Sequence, residues 1–256
     1  MAGPVSGQAP RDSADVLFVG NSYTYYNNLP RLVEAISQAL DGPILLQGTH
    51  AIGGYSLPGH LRDGHVPEIL QEQAPAGDLW DWVVLQGQST LGVQYSDPDS
   101  GILGDPANFQ EATRDLVGLI EDKGAEPLLY MTWAKERFPD QTAKLAHAYE
   151  EIGAELGAPV SPVGWAWARV RRERPELELF QDDGSHPNAT GSYLAACVIY
   201  AELTGRAPKG APSEIKGHPW DGSGVLPAGE PTILVSLAAE VAAYLQKVAW
   251  ETVVSH

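Results

Sequence analysis

The stretch Val16-Leu17-Phe18-Val19-Gly20-Asn21-Ser22-Tyr23-Thr24 decides how this chain reads. Val16 to Val19 form an apolar run of strand length, rich in β-branched and aromatic side chains, and Gly20 lets the backbone turn sharply without a Cβ penalty. Ser22 therefore lands just past the end of a strand. In an open α/β sheet the ligand site collects outside the ends where strands finish, so a serine delivered there is a candidate nucleophile. Taken alone, Asn21 and Ser22 fit a plain turn or a helix cap as well. What the rest of the chain brings to the same edge separates these readings.

Downstream, Asn27 or Asn28 can cap a helix that opens at Leu29-Pro30 and carries Leu32, Val33, Ile36 and Leu40 at helical spacing. Ile44-Leu45-Leu46 begins a second strand that breaks at Gly53-Gly54. Strand, helix, strand in this order implies parallel strands joined by right-handed crossovers. Trp80 to Leu85 reads as a third strand, apolar on both faces after Asp81, and runs into Gln86-Gly87-Gln88-Ser89. Pro127 to Met131 and Pro159 to Val163 supply a fourth and a fifth. Helix stripes fall at Phe109, Ala112, Leu116 and Ile120, and at Leu145, Tyr149, Ile152 and Leu156; a long apolar helix runs from about Asn188 to Leu203. Residues 92–108, dense in Gly, Pro, Asp and Ser, fit a surface loop or a substrate-facing flap. Arg206 to Pro231 reads as an ordered meander, and Leu234, Leu237, Val241, Leu245 and Val248 as the apolar face of a last helix.

The 256 residues suit one domain over 1–256, with 1–13 a flexible N-terminus and 232–250 a C-terminal helix packed on the rest. A net charge of −17 repels phosphate backbones and anionic membrane surfaces, which argues against nucleic-acid binding. No run approaches the ~18 apolar residues needed to span a bilayer. No positive segment followed by an apolar one stands at the N-terminus, so a cytoplasmic location is expected, or a secreted one if the natural chain begins further upstream. The acidic residues are scattered over helix faces, which favours solvation over metal binding. The lone Cys197 excludes an internal disulfide and a thiolate zinc cluster, and within Ala195-Ala196-Cys197-Val198-Ile199 it reads as a small buried hydrophobe. Neither a metal nor an organic cofactor is expected.

A serine hydroxyl needs a base within hydrogen-bond reach, and histidine suits the task near neutral pH. His50, His60, His65, His147, His218 and His256 stand in ordinary loop or helix-face settings, where a structural or solvent role is expected. His186 differs: it follows Asp183 by three residues in a Gly- and Pro-containing loop directly before a helix, which can hold a carboxylate beside the imidazole. Asp183 could equally shape the turn. Ester chemistry also needs donors aimed at a developing oxyanion. Gly53-Gly54 can bring a backbone N–H close to substrate, and Gln86 or Gln88 can offer a side-chain N–H.

Four blocks in order, Gly20-Asn21-Ser22, Gly53-Gly54-Tyr55-Ser56, Gln86-Gly87-Gln88-Ser89 and Asp183-Gly184-Ser185-His186-Pro187, resemble those of the SGNH, or GDSL-like, hydrolase superfamily across about residues 14–205. The resemblance implies a flavodoxin-like three-layer α/β/α sandwich around a mostly parallel five-stranded sheet. It implies Ser22 as nucleophile, His186 as base and Asp183 as its partner. The oxyanion hole it implies comes from the N–H groups of Ser22 and Gly54 plus an amide of Gln86 or Gln88. Block one carries Asn21 where many members have aspartate, and block three lacks the Gly-x-Asn of the family. Gln86-Gly87-Gln88 is similar to the Gln-Gly-Glu-like third block of members active on acetylated sugars. The expected function is therefore cleavage of short-chain acyl esters, such as acetyl, on a small molecule or a carbohydrate. The alternatives are lipase or thioesterase specificity, a nucleophile elbow at Ser89, and a non-catalytic carbohydrate-binding protein that uses some of the seven tryptophans.

Overall fold

The computed structural model describes residues 13–72, 74–76, 79–91, 104–220 and 229–256. Its centre is a sheet of β1 (Ser13–Gly20), β2 (Ile44–Ala51), β3 (Trp82–Leu85), β4 (Glu126–Tyr130) and β5 (Val160–Ser161), all parallel, in the spatial order β2-β1-β3-β4-β5. The winding direction reverses between β1 and β3, which makes the crevice beyond their carboxyl ends the natural ligand site. Register sharpens this placement. Gly20 pairs with Ala51 of β2 and Val19 with Leu85 of β3, so the turns bearing Ser22, Gly54 and Gln88 leave the sheet at one level.

Side-chain alternation sends Val16 and Phe18 to one face of the sheet and Leu17 and Val19 to the other. The helices, in chain order, are α1 (Ser22–Tyr25), α2 (Leu29–Ala39), α3 (Leu57–Asp63), α4 (His65–Ile69), α5 (Pro106–Asp122), α6 (Thr142–Leu156), α7 (Val163–Glu173), α8 (Ala189–Thr204) and α9 (Ala239–Ser255). α2, α7, α8 and α9 pack over Val16, Phe18, Val84 and Leu128; α3, α4, α5 and α6 cover Leu17, Val19, Val83 and Leu85. The result is the expected three-layer sandwich. α8 has no polar stripe because Gly191 to Ala201 are buried all round, and Cys197 sits among them with its thiol pushed well above its ordinary range by burial. Among the described residues no helix is long and apolar enough to cross a membrane.

Three expectations need correction. The final helix begins at Ala239, because Thr232–Ser236 forms β7, antiparallel to β6 (Glu214–Gly217), so the meander contains a strand. Leu234 and Leu237 are three apart and imitate a helical stripe, but Thr232, Ile233 and Val235 are β-branched and favour the extended chain. At the other end, Ser13 already belongs to β1, while 1–12 lie outside the described residues. The loop or flap expected over 92–108 ends earlier, since Asp105 caps α5 by accepting a hydrogen bond from the Ala107 N–H at 2.9 Å; residues 92–103 of that expectation lie outside the described residues.

α8 crosses close to its neighbours at Gly191, where an added Cβ would stand 2.4 Å from the Leu179 carbonyl oxygen and 2.5 Å from the Trp167 ring. Gly191→Ala should therefore lower stability by about 1–3 kcal/mol, read from urea denaturation midpoints, and an unchanged midpoint would show that this packing relaxes freely.

Candidate active site

The chain leaving β1 is held by the side chain of Gln86. Its Oε1 accepts hydrogen bonds from the Asn21 N–H and the Thr24 hydroxyl, both at 2.9 Å. A Cβ at residue 20 would lie 2.6 Å from that oxygen and 2.3 Å from Thr24 Oγ1, so glycine is required for space. Asn21 then caps α1, its Oδ1 accepting from the Tyr23 N–H at 3.0 Å, while its Nδ2 donates to the Tyr55 carbonyl at 2.8 Å. The second bond ties the serine turn to the Gly53-Gly54 turn. Ser22 is the first residue of α1, where a backbone N–H has no intrahelical partner.

The third block divides its two glutamines. Gln86 is buried, its amide nitrogen donates to the Gly87 carbonyl, and its side chain is spent on the turn. Gln88 instead lines a cavity of about 390 Å³ together with Ser22, Gly53, Gly54, Tyr26 and His186. Its Oε1 accepts from the Thr90 N–H and hydroxyl, both at 2.5 Å, which directs the amide nitrogen away from that pair. Gly54 adopts φ +72°, a conformation that favours glycine.

The His186 loop meets this turn from the far side. His186 Nε2 lies 2.8 Å from Ser22 Oγ, and Nδ1 lies 2.5 Å from Asp183 Oδ2. Asp183 Oδ1 also accepts from the N–H groups of Ser185 at 2.8 Å and His186 at 2.9 Å. Partial burial raises the Asp183 carboxyl, but these bonds, the His186 ring first, outweigh it and hold the group below its usual range. An ionised carboxylate fixes the proton of the imidazole on Nδ1 and leaves Nε2 bare toward the serine hydroxyl, the arrangement needed to accept a proton from it. Ser89 also borders the cavity, but its hydrogen-bonding neighbour is the Tyr23 hydroxyl rather than an imidazole.

Several supporting residues carry no signal in the sequence that separates them from core or loop. Tyr23 stacks on Trp133 with centroids 4.6 Å apart, and Trp133 on Trp167 at 3.8 Å, forming a three-ring pillar behind the site. From this pillar the Tyr23 hydroxyl bonds Ser185 Oγ at 2.7 Å and Trp133 Nε1–H donates to the Ser185 carbonyl at 3.0 Å. Asn27, at φ +54°, donates to the Pro187 carbonyl at 3.1 Å. Tyr26 lies flat over the His186 ring at 4.4 Å, with Tyr25 next in the row at 5.6 Å. The only available cues are the position of Trp133 just past β4 and the density of Tyr and Asn after Ser22. His60, expected to be ordinary, is buried with Nε2 2.8 Å from the Gly20 carbonyl oxygen. Among the described residues no three His, Cys, Asp or Glu side chains are grouped to hold a metal ion.

No family profile and no curated protein matches this sequence. Solved structures do. A protein of Slackia heliotrinireducens assigned to the SGNH hydrolases is 26% identical, with 75% of this chain and 99% of that one aligned and a TM-score of 0.57. A DUF4886 family protein from Bacteroides uniformis aligns over 94% of this chain and 95% of its own at 19% identity, with a TM-score of 0.70. An acetylxylan esterase from Geobacillus stearothermophilus aligns over 75% and 94% at 14% identity, with a TM-score of 0.58. The fold is that of the SGNH-like hydrolases.

Burial is the main cause that lowers the His60 pKa, from 6.5 to about 4, so the folded protein keeps this ring neutral where the unfolded chain would protonate it. The unfolded state then binds more protons, and stability is full above pH 6.5 and falls as pH drops toward 4. The loss should be on the order of 3 kcal/mol. Urea midpoints at pH 7 and pH 4.5 should show it in the wild type and show a smaller drop in His60→Gln; equal drops in both would contradict the assignment.

Proposed function

We propose that this SGNH-like fold is a serine hydrolase of carboxylic esters, with Ser22 as nucleophile, His186 as general base and Asp183 as its orienting partner. The observation that supports it most is the continuous chain from Asp183 Oδ2 through His186 to Ser22 Oγ, at 2.5 and 2.8 Å, opening into a cavity lined by Gly54 and Gln88. Ser22 Oγ attacks the ester carbonyl while His186 Nε2 takes its proton. The imidazolium then protonates the departing alcohol, and the freed imidazole activates a water that releases the acid from the acyl-enzyme. The developing oxyanion is met by the N–H groups of Ser22 and Gly54 and the amide of Gln88. Gln86 has the different task of building the turn.

For the substrate, a short acyl group such as acetyl on a carbohydrate is favoured over a long-chain lipid or thioester. Gln88, Lys135 and Asp183 put polar groups on the cavity wall that can hydrogen-bond the hydroxyls of a sugar. The leaving alcohol departs beside His186, where Tyr25 and Tyr26 also line the cavity and present aromatic groups to a sugar. Trp133 and Trp167 are buried in the pillar and do not. The likeness to an acetylxylan esterase agrees with this choice.

Ser22→Ala should lower kcat/KM on 4-nitrophenyl acetate by about 10³-fold or more, while Ser89→Ala keeps the rate within about threefold. The reverse pattern would move the nucleophile to Ser89. Wild-type protein that turns over neither this ester nor acetylated xylo-oligosaccharides would leave the non-catalytic carbohydrate-binding reading. Gln88→Ala should cost about 10²-fold in kcat, whereas Gln86→Ala should act on the denaturation midpoint as well as on rate. A Gln88→Ala enzyme at full kcat would remove that amide from the oxyanion hole.

A further inference from the structure

His60 lies on α3, outside the cavity, and is 1% exposed. Its Nε2 faces the Gly20 carbonyl oxygen at 2.8 Å, and since a carbonyl can only accept, Nε2 carries the hydrogen and Nδ1 is bare. Nδ1 is itself buried with no hydrogen-bond partner. A leucine or methionine would fill the same space without burying an unsatisfied nitrogen, so packing alone does not explain a histidine here. What the ring provides that they cannot is the single N–H on Gly20.

That carbonyl is a junction. It also accepts the N–H of Ile52 at 3.1 Å. Gly20 stands two residues before Ser22, and Ile52 two residues before Gly54. The two backbone N–H groups assigned to the oxyanion hole thus hang from two segments that meet at one oxygen atom. A second link, from Asn21 Nδ2 to the Tyr55 carbonyl at 2.8 Å, closes the same pair of turns further on, and the Tyr55 ring stands edge-on to His60 at 5.2 Å. The His50 ring stands edge-on to His60 at 5.2 Å as well.

We infer that His60 is a positioning residue for the hydrolysis proposed above, fixing through the Gly20 carbonyl the spacing between the Ser22 turn and the Gly54 turn. The inference rests on that reading of Ser22. His60 touches neither substrate nor the reacting atoms; it sets how far apart the two oxyanion donors stand, and errors of about 1 Å in such placement cost on the order of 10²-fold in rate.

Three variants separate positioning from filling. His60→Gln places an amide N–H where Nε2 stood, His60→Asn keeps an amide too short to reach, and His60→Leu fills the volume with no donor. For each, kcat and KM on 4-nitrophenyl acetate and the rate constant for inactivation by a fluorophosphonate are measured per folded molecule, with folding followed by near-UV circular dichroism. His60→Leu and His60→Asn should lose about 10- to 100-fold in both kcat and inactivation rate with KM within about twofold, and His60→Gln should recover to within about fivefold of wild type. Folded His60→Asn or His60→Leu at the wild-type rate, or His60→Gln as slow as His60→Asn, would overturn the inference. If His60→Leu fails to fold, the comparison of the two amides decides it. Wild-type protein inert to both reagents would instead refute the ester reading itself.

Discussion

One side-chain oxygen, Oε1 of Gln86, holds the turn on which the whole site is built. It reaches from the end of β3 to take the Asn21 N–H and the Thr24 hydroxyl, and in doing so it leaves no room for a side chain at Gly20. With its own N–H satisfied in this way, Asn21 can use both ends of its side chain elsewhere, capping α1 and gripping Tyr55. Three loops that leave adjacent parallel strands are thereby locked to each other before any substrate is present. Support of this kind lets a cavity present its hydrogen-bond donors in a fixed arrangement, where flexible loops would have to be ordered first.

The His186 loop is supported separately. The stacked rings of Tyr23, Trp133 and Trp167 rise from the core of the α7–α8 side of the sheet, and two of the three hold Ser185 by hydrogen bonds. Asn188 caps α8 with its side chain accepting from the Gly191 N–H at 3.0 Å, so the fully buried helix anchors the loop from below. Burial pushes the Tyr23 hydroxyl up to about 12, which keeps it neutral and available as a hydrogen-bond partner at any ordinary pH. Tyr23 is thus shared, following Ser22 in sequence and supporting the histidine loop in space.

The sheet was legible because buried parallel strands are short apolar runs that end at glycine or polar turns, as at Val19-Gly20 and Leu85-Gln86. The pairing of Ser22 with an Asp-x-x-His loop was legible because both lie at strand or helix boundaries that the pattern marks. Which of Gln86 and Gln88 lines the cavity was not, since alternation applies only within a strand and β3 ends at Leu85. Beyond that residue the direction of each side chain depends on partners from β1 and from Thr90. His60 was illegible for a similar reason: a single histidine in a short helix looks the same in sequence whether it faces water or a buried carbonyl. β7 is hidden in the sequence because Leu234 and Leu237 stand at helical spacing among three β-branched neighbours.

If the site works as the proposed serine esterase, Ser22 Oγ is the atom that becomes acylated. Reaction of the native protein with diethyl 4-nitrophenyl phosphate, followed by intact mass spectrometry and peptide mapping, tests it most directly. The account predicts one diethylphosphoryl adduct, carried by Ser22 and lost in His186→Ala. An adduct on Ser89, or a folded protein that gains no mass, would contradict it.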